Sequence, residues 1–173
     1  MKTAREYPAF TVSKRCEQKL RAGHPWVYDN EIEQFPEGCE NGGVVDVVSQ
    51  KGAYLGSGLL SEKSKIRIRL ISTNANDRFD ESFFRRSIKY AIDYRIAVMG
   101  DDFSACRLVF GEADRLPGLT VDKYGDILSV QVLSIGIEKV KDIIYKALVD
   151  VLKSDDIKNF INSTYDGAVV PIF

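Results

Sequence analysis

Residues 107–133 read RLVFGEADRLPGLTVDKYGDILSVQVL. Three apolar runs stand in this stretch: Leu108-Val109-Phe110, Leu119-Thr120-Val121, and Ile127 to Leu133, the last enriched in β-branched residues. Gly111, Pro117-Gly118 and Gly125-Asp126 separate them, supplying the fixed φ of proline and the positive φ that glycine tolerates. A chain that turns back on itself twice over so short a length predicts a small antiparallel meander.

Helical periodicity flanks the meander on both sides. Before it, Phe84, Ile88, Ala91, Ile92, Arg95, Ile96 and Met99 recur at helical spacing, which predicts an amphipathic helix over 81–99 with Asp80 as its cap and Gly100 as its stop. After it, Val140, Ile143, Ile144, Ala147, Leu148, Val151 and Leu152 predict a helix over 137–153 capping one face of the sheet. The polar stretch 73–78, TNANDR, is the expected domain boundary.

Upstream of that boundary the pattern is of short strands. Residues 8–14, PAFTVSK, alternate apolar and polar and predict an opening strand. A short helix follows over 14–22, capped by Ser13, with Cys16 and Leu20 on one face and Gly23 as its stop. Its other face carries Lys14, Arg15, Lys19 and Arg21, either a solvated surface or a phosphate-binding one. His24-Pro25-Trp26-Val27-Tyr28 is extended by its proline. It reads either as a core Trp anchoring the barrel or as a basic and aromatic surface, with Arg21 and His24 on the rim, suited to stacking and phosphate contacts with RNA. Trp26 itself is expected in the core because a small domain has few residues that bury so much area. Strands are expected over 44–48, 54–60 and 65–71, with Gly56 and Gly58 marking a bulge or bend. In the last strand Ile66, Ile68 and Leu70 face inward, so Lys65, Arg67 and Arg69 form a basic row on the other side. These elements together predict a small β-barrel.

Composition limits the function. The chain has 173 residues, 45% of them hydrophobic and 28% charged, the balance of a globular protein. No apolar run reaches membrane-spanning length, and MKTAREYPAF lacks the apolar block of a secretory signal, so a cytoplasmic location with no membrane partner is expected. Three widely spaced cysteines, Cys16, Cys39 and Cys106, read as free thiols, and with a single histidine they make neither a zinc site nor a Cys/His nucleophile. The net charge of −1 divides into 11 Lys+Arg against 9 Asp+Glu over 1–76 and 13 against 16 over 77–173. Contact with nucleic acid must therefore come from a local patch.

RLVFGEADRLPGLTVDKYGD resembles the central region of the class I rRNA cytosine-C5 methyltransferase family of the large ribosomal subunit. LRAGHPWVYDNEI (20–32) and GAYLGSGLLSEKSKIRIRLI (52–71) resemble the N-terminal PUA domain of the same family, in family order. The resemblance runs from residue 12 to about 153, and the tail IKNFINSTYDGAVVPIF departs from the family pattern. It implies an α+β chain: a PUA-like RNA-binding barrel over 1–73, a linker and connecting helix over 74–100, and an incomplete central domain over 101–173. The Rossmann-type catalytic domain is expected to be absent. No glycine-rich strand-to-helix turn is present to seat S-adenosylmethionine, and no cysteine lies in the family's proline-rich catalytic motif.

The expected function is therefore the RNA-binding and connecting portion of a SAM-dependent rRNA methyltransferase, in the family a 23S cytosine-C5 enzyme. It carries no catalytic, cofactor-binding or metal-binding residues of its own; S-adenosylmethionine is implied for the full-length family member. A stand-alone PUA-type RNA-binding or scaffold protein is the alternative. Ribosomal RNA is the expected partner, through Arg15, Lys19, Arg21, His24, Lys65, Arg67 and Arg69, with Arg115 as a further contact to RNA or between domains. His24 adds a donor that strengthens below about pH 6.5, and the family suggests a homodimer. A third reading, a small hydrolase, would use the carboxylates Glu112, Asp114, Asp122 and Asp126, residue types that turns favour for backbone reasons alone.

Overall fold

The computed structural model describes residues 5–153, apart from the Asp101 side chain. The described residues divide into two compact units, 5–77 together with 133–139, and 78–132 together with 140–153.

The first unit is a six-stranded mixed sheet. Its strands are β1 (Ala9–Val12), β2 (Trp26–Tyr28), β3 (Ile32–Gln34), β4 (Val44–Ser49), β5 (Tyr54–Leu60) and β6 (Ile66–Ser72), and α1 (Lys14–Arg21) follows β1. The strand order is β2-β6-β5-β4-β1-β3, with β1 and β4 parallel and every other pair antiparallel. β2 and β3 stand at opposite ends of this order, yet only the single turn Asp29–Glu31 joins them. Three linking residues reach at most about 15 Å, whereas the edges of a flat six-stranded sheet lie about 24 Å apart. The sheet must therefore curl.

Its interior is filled by Phe10, Val12, Val45, Val47, Leu55, Leu60, Ile68 and Leu70, and α1 adds Cys16 and Leu20. The Ser13 side chain accepts a hydrogen bond from the Cys16 amide, and Gly23 turns the chain out of the helix at φ 95°. β5 crosses β6 so closely at Gly58 that a Cβ there would lie 2.4 Å from the Arg69 carbonyl oxygen, which only glycine permits. A buried polar cluster completes the other face of β4. Arg5 donates to Asp46 at 2.6 and 3.0 Å and to Ser57 at 2.9 Å, Ser57 donates to Asp46 at 2.6 Å, and Arg5 also donates to the Ala75 carbonyl. The short helix α3 (Ile135–Lys139) belongs to this unit as well: Gly136 packs on Leu59, and Lys139 pairs with Glu40 at 2.5 Å.

The second unit holds the meander, β7 (Ala105–Phe110), β8 (Leu119–Tyr124) and β9 (Ile127–Val132), antiparallel throughout. α2 (Glu81–Met99) begins at Asp80, whose carboxylate accepts from the Phe83 amide, and lies against β7. α4 (Lys141–Leu152) turns Ile144, Ala147, Leu148 and Val151 inward. It packs mainly on α2, not on the sheet that the 137–153 helix was expected to cap.

Further expectations need correction. The periodicity read as one helix over 137–153 is two helices, broken at Val140, and the two belong to different units. β2 was anticipated only as an extended stretch after Pro25 and β3 not at all; three residues each is too short for a periodic signal. Trp26 is half-buried and lies outside the core, because alternation in β2 commits Val27 to the interior and so turns Trp26 and Tyr28 to the opposite face. The tail after residue 153 lies outside the described residues.

Candidate nucleic-acid interface

β2 and β6 form one edge ladder, with Trp26 opposite Arg69 and Val27 opposite Ile68. The register slips by one residue after Val27, so that Tyr28 lies opposite Ile66 and Arg67 is the extra residue of a bulge. Since Val27 and Ile68 point into the core, Trp26, Tyr28 and the two arginines occupy the outer face.

Three rings cluster on that face. His24 and Tyr28 stand edge-on or tilted to Trp26 and to each other, with centroids 5.7 Å (His24–Trp26), 6.5 Å (Trp26–Tyr28) and 6.4 Å (His24–Tyr28) apart. His24 Nδ1 accepts from the Trp26 amide at 3.1 Å, which fixes the ring against β2. Lys19 reaches over from α1: its Nζ lies 5.0 Å from the Tyr28 ring centre and 2.5 Å from Glu31 Oε1. Burial pushes the Glu31 carboxyl up, but bonds from Lys19 and the Tyr28 amide outweigh it and hold the group below its ordinary value.

The seven cations and His24 singled out in the sequence do not behave alike. Lys19, His24, Arg67 and Arg69 gather about the Trp26 and Tyr28 rings. Arg69 is half-buried and donates to Ser61 Oγ and the Ile66 carbonyl, each at 3.4 Å. The Arg67 side chain is only 20% exposed, and its Nη2 lies 3.7 Å from Asp29 Oδ2, an ion pair beyond hydrogen-bond reach. The expected row of three solvent-facing cations on β6 therefore reduces to Lys65, since the curl of the sheet and the bulge fold both arginines down. Arg21 is exposed and paired with Glu17 one turn earlier, while Arg15 and Lys65 are exposed without an ion pair among the described residues. Arg115 lies in the other unit, in a left-handed turn at φ 57°.

Two of the four carboxylates named for the meander, Asp114 and Asp122, are committed elsewhere. Asp114 accepts from Arg95 Nη1 and Nη2 at 2.7 and 2.8 Å and from the Phe110 amide at 2.6 Å, and Asp122 accepts from Arg107 at 2.7 and 3.1 Å. A carboxylate clamped in this way is a poor general base. Among the described residues no cluster could hold a metal ion, and no helix is long and apolar enough to cross a membrane. The Trp26 and Tyr28 rings are what sequence reasoning undervalued; their signal was the alternation around Val27.

Residues 10–73 match the PUA-like domain family. Ribosomal RNA large subunit methyltransferase I of Aliivibrio fischeri (strain MJ11) is 34% identical over 140 residues, an alignment spanning 80% of this chain and 35% of that protein. The protein of the same name from Klebsiella pneumoniae subsp. pneumoniae is 32% identical over 143 residues, 82% of this chain and 36% of its own length. That from Salmonella enteritidis PT4 is 33% identical over 165 residues, 95% of this chain and 40% of its own. The Salmonella alignment is longer than the stretch 12–153 and so reaches into the tail. Among solved structures, a Streptococcus mutans protein assigned as a SAM-dependent methyltransferase superposes with TM-score 0.71 at 23% identity, over 83% of this chain and 38% of that one, a likeness of fold. Residues 10–73 thus form a PUA-like domain, and the chain is homologous over most of its length to Ribosomal RNA large subunit methyltransferase I, of which it spans little more than a third.

Proposed function

We propose that this chain is the RNA-binding and connecting portion of a cytoplasmic SAM-dependent rRNA methyltransferase. The parent reaction is methyl transfer to a base of the large-subunit RNA, C5 of a 23S cytosine. In this reading the PUA-like barrel over 1–73 holds the RNA, the helix over 74–100 connects, and residues 101–173 contribute the central domain. Methyl transfer itself, and the S-adenosylmethionine site, belong to the portion of the relatives that this chain does not span.

One observation carries the reading: the ring cluster and the cations Lys19, Arg67 and Arg69 all fall within the segment that matches the PUA-like family, residues 10–73. The exposed Arg15, Arg21 and Lys65 extend the positive surface beyond the rings. Cations that neutralise phosphates release counterions, so binding to an rRNA fragment weakens steeply with salt. Replacing Arg15, Arg21 and Lys65 with alanine in turn should flatten the slope of log affinity against log salt by somewhat under one unit each. Arg67, being mostly buried, is not a suitable partner for this test. Unchanged affinity and slope in all three variants would sink the assignment of this face. Incubated with S-adenosylmethionine and the same RNA, the chain alone transfers no methyl group.

A further inference from the structure

Among the described residues, the buried side-chain polar atoms without a hydrogen-bond partner are Trp26 Nε1 and Arg67 Nε. Both are donors, and both belong to the paired strands β2 and β6. Folded proteins satisfy almost all buried donors, and one left unmade forfeits its water without replacement. Two such donors on adjacent strands of one face point to a missing acceptor.

The surroundings narrow what that acceptor is. Lys19, Arg21 and Arg67 are offset by Glu31, Glu17 and Asp29, and Arg69 already donates to Ser61 and the Ile66 carbonyl, so a phosphate gains less here than at the exposed Arg15 and Lys65. A neutral carbonyl oxygen suits an indole N–H beside a guanidinium N–H. The flanking groups are the rings of His24 and Tyr28, which favour a flat aromatic carrier. We propose that this face takes one unpaired nucleobase of RNA, its exocyclic carbonyl accepting from Trp26 Nε1 and Arg67 Nε while its ring lies against the aromatic cluster. The inference rests on the RNA-binding reading above and deepens it from RNA in general to a single-stranded nucleotide bearing a carbonyl. Bases in an A-form duplex are stacked and their deep groove is closed to side chains, whereas a splayed base can enter edge first.

Both donors are covered in this structure, so entry displaces a neighbouring ring. His24 lies outside the ladder, directly after Gly23 at φ 95°, and a single side-chain hydrogen bond, from the Trp26 amide, would have to break for its ring to move aside. Uracil, cytosine and guanine carry the required oxygen; adenine does not.

Trp26 is the single tryptophan of the chain, so its emission reports this face alone. Short oligouridylate, oligoadenylate of equal length and an RNA hairpin stem are titrated into the full chain, following Trp26 emission and the anisotropy of labelled RNA. The expected result is a change in Trp26 emission with oligouridylate and binding about tenfold tighter than to oligoadenylate or the stem, the scale of one good base contact. Arg67→Lys keeps the charge and removes Nε; it should abolish the preference while salt-dependent binding persists. Equal affinity for all three RNAs with unaltered Trp26 emission overturns the base site and leaves the RNA-binding reading standing. So does a preference that survives in Arg67→Lys. Failure of every RNA to bind at low salt overturns both.

Discussion

The outer face of β2–β6 and the outer face of β7–β8 carry the same kinds of residue and use them in opposite ways. On the second, a cleft of about 420 Å³ is lined by Ala105, Cys106, Arg107, Phe110, Asp122 and Tyr124. Arg107 lies directly across the ladder from Asp122, holds it through two hydrogen bonds, and places its guanidinium 5.2 Å from the centre of the Phe110 ring. Arg95 is engaged further still: it clamps Asp114 and donates to the Arg107 carbonyl at 3.1 Å. On the β2–β6 face, Arg67 meets its aspartate only at 3.7 Å and keeps a buried N–H unused. Aromatic and arginine content does not separate a structural surface from a binding one. What separates them is whether the guanidinium edges are already filled.

That contrast breaks most readily at Asp114. Arg95 and Asp114 are each 11% exposed, so Asp114→Ala strands a buried cation and should cost roughly 3–5 kcal/mol in urea unfolding while leaving the affinity of the first unit for RNA untouched. A loss under about 1 kcal/mol would reduce the clamp to an ordinary surface pair.

Alkali separates the units next. Cys16 is fully buried, and burial first, then Glu31, pushes its thiol up to about 12 from an ordinary 9.0. A raised folded value means that the stability is complete below the unfolded value and is lost as pH rises, so it should decline between about 9 and 12, by up to roughly 4 kcal/mol. Cys16→Ala should remove that component. Cys106, half-buried in the second unit, is raised less by the same cause and should be alkylated before Cys16.

Acid acts on the binding face through Glu31. Its folded value is depressed, so the stabilisation it gives is present above the ordinary carboxylate range and lost as pH falls through the folded value. Glu31→Gln should flatten the acid limb of a stability profile and loosen Lys19. The smallest effect is expected at Arg107, whose exposed pair with Asp122 should matter little to stability. Arg107→Ala should leave the salt slope of RNA binding unchanged, whereas a flatter slope would give the β7–β8 face a share in binding.

Much of this contrast was hidden in the sequence for a definite reason. α2 was legible from end to end because its cap, stripe and stop all lie within one local window, Asp80 to Gly100. β4 and the meander were legible from β-branched runs between turns. The ion pairs that sort the arginines were not: Arg95 and Asp114 are 19 residues apart, and Arg5 and Asp46 are 41 apart. Pairing over such separations depends on register and curl. The basic row on β6 failed in the same way, since a one-residue bulge opposite Tyr28 and a curled sheet turned two exposed rungs into half-buried ones. His24 could be set beside Trp26 in advance; that Lys19 reaches over the Tyr28 ring of the same cluster could not.

Gly136 packs on Leu59, where an added Cβ would lie 2.8 Å from the leucine Cβ, so a segment from beyond the meander finishes the core of the first unit. On a ribosome this becomes a matter of timing. Synthesis proceeds at about 5–20 residues per second, so roughly 3–12 s separate the emergence of residue 77 from that of residue 136. Throughout that interval the first unit waits with Leu59 uncovered while the strands of the second emerge beside it.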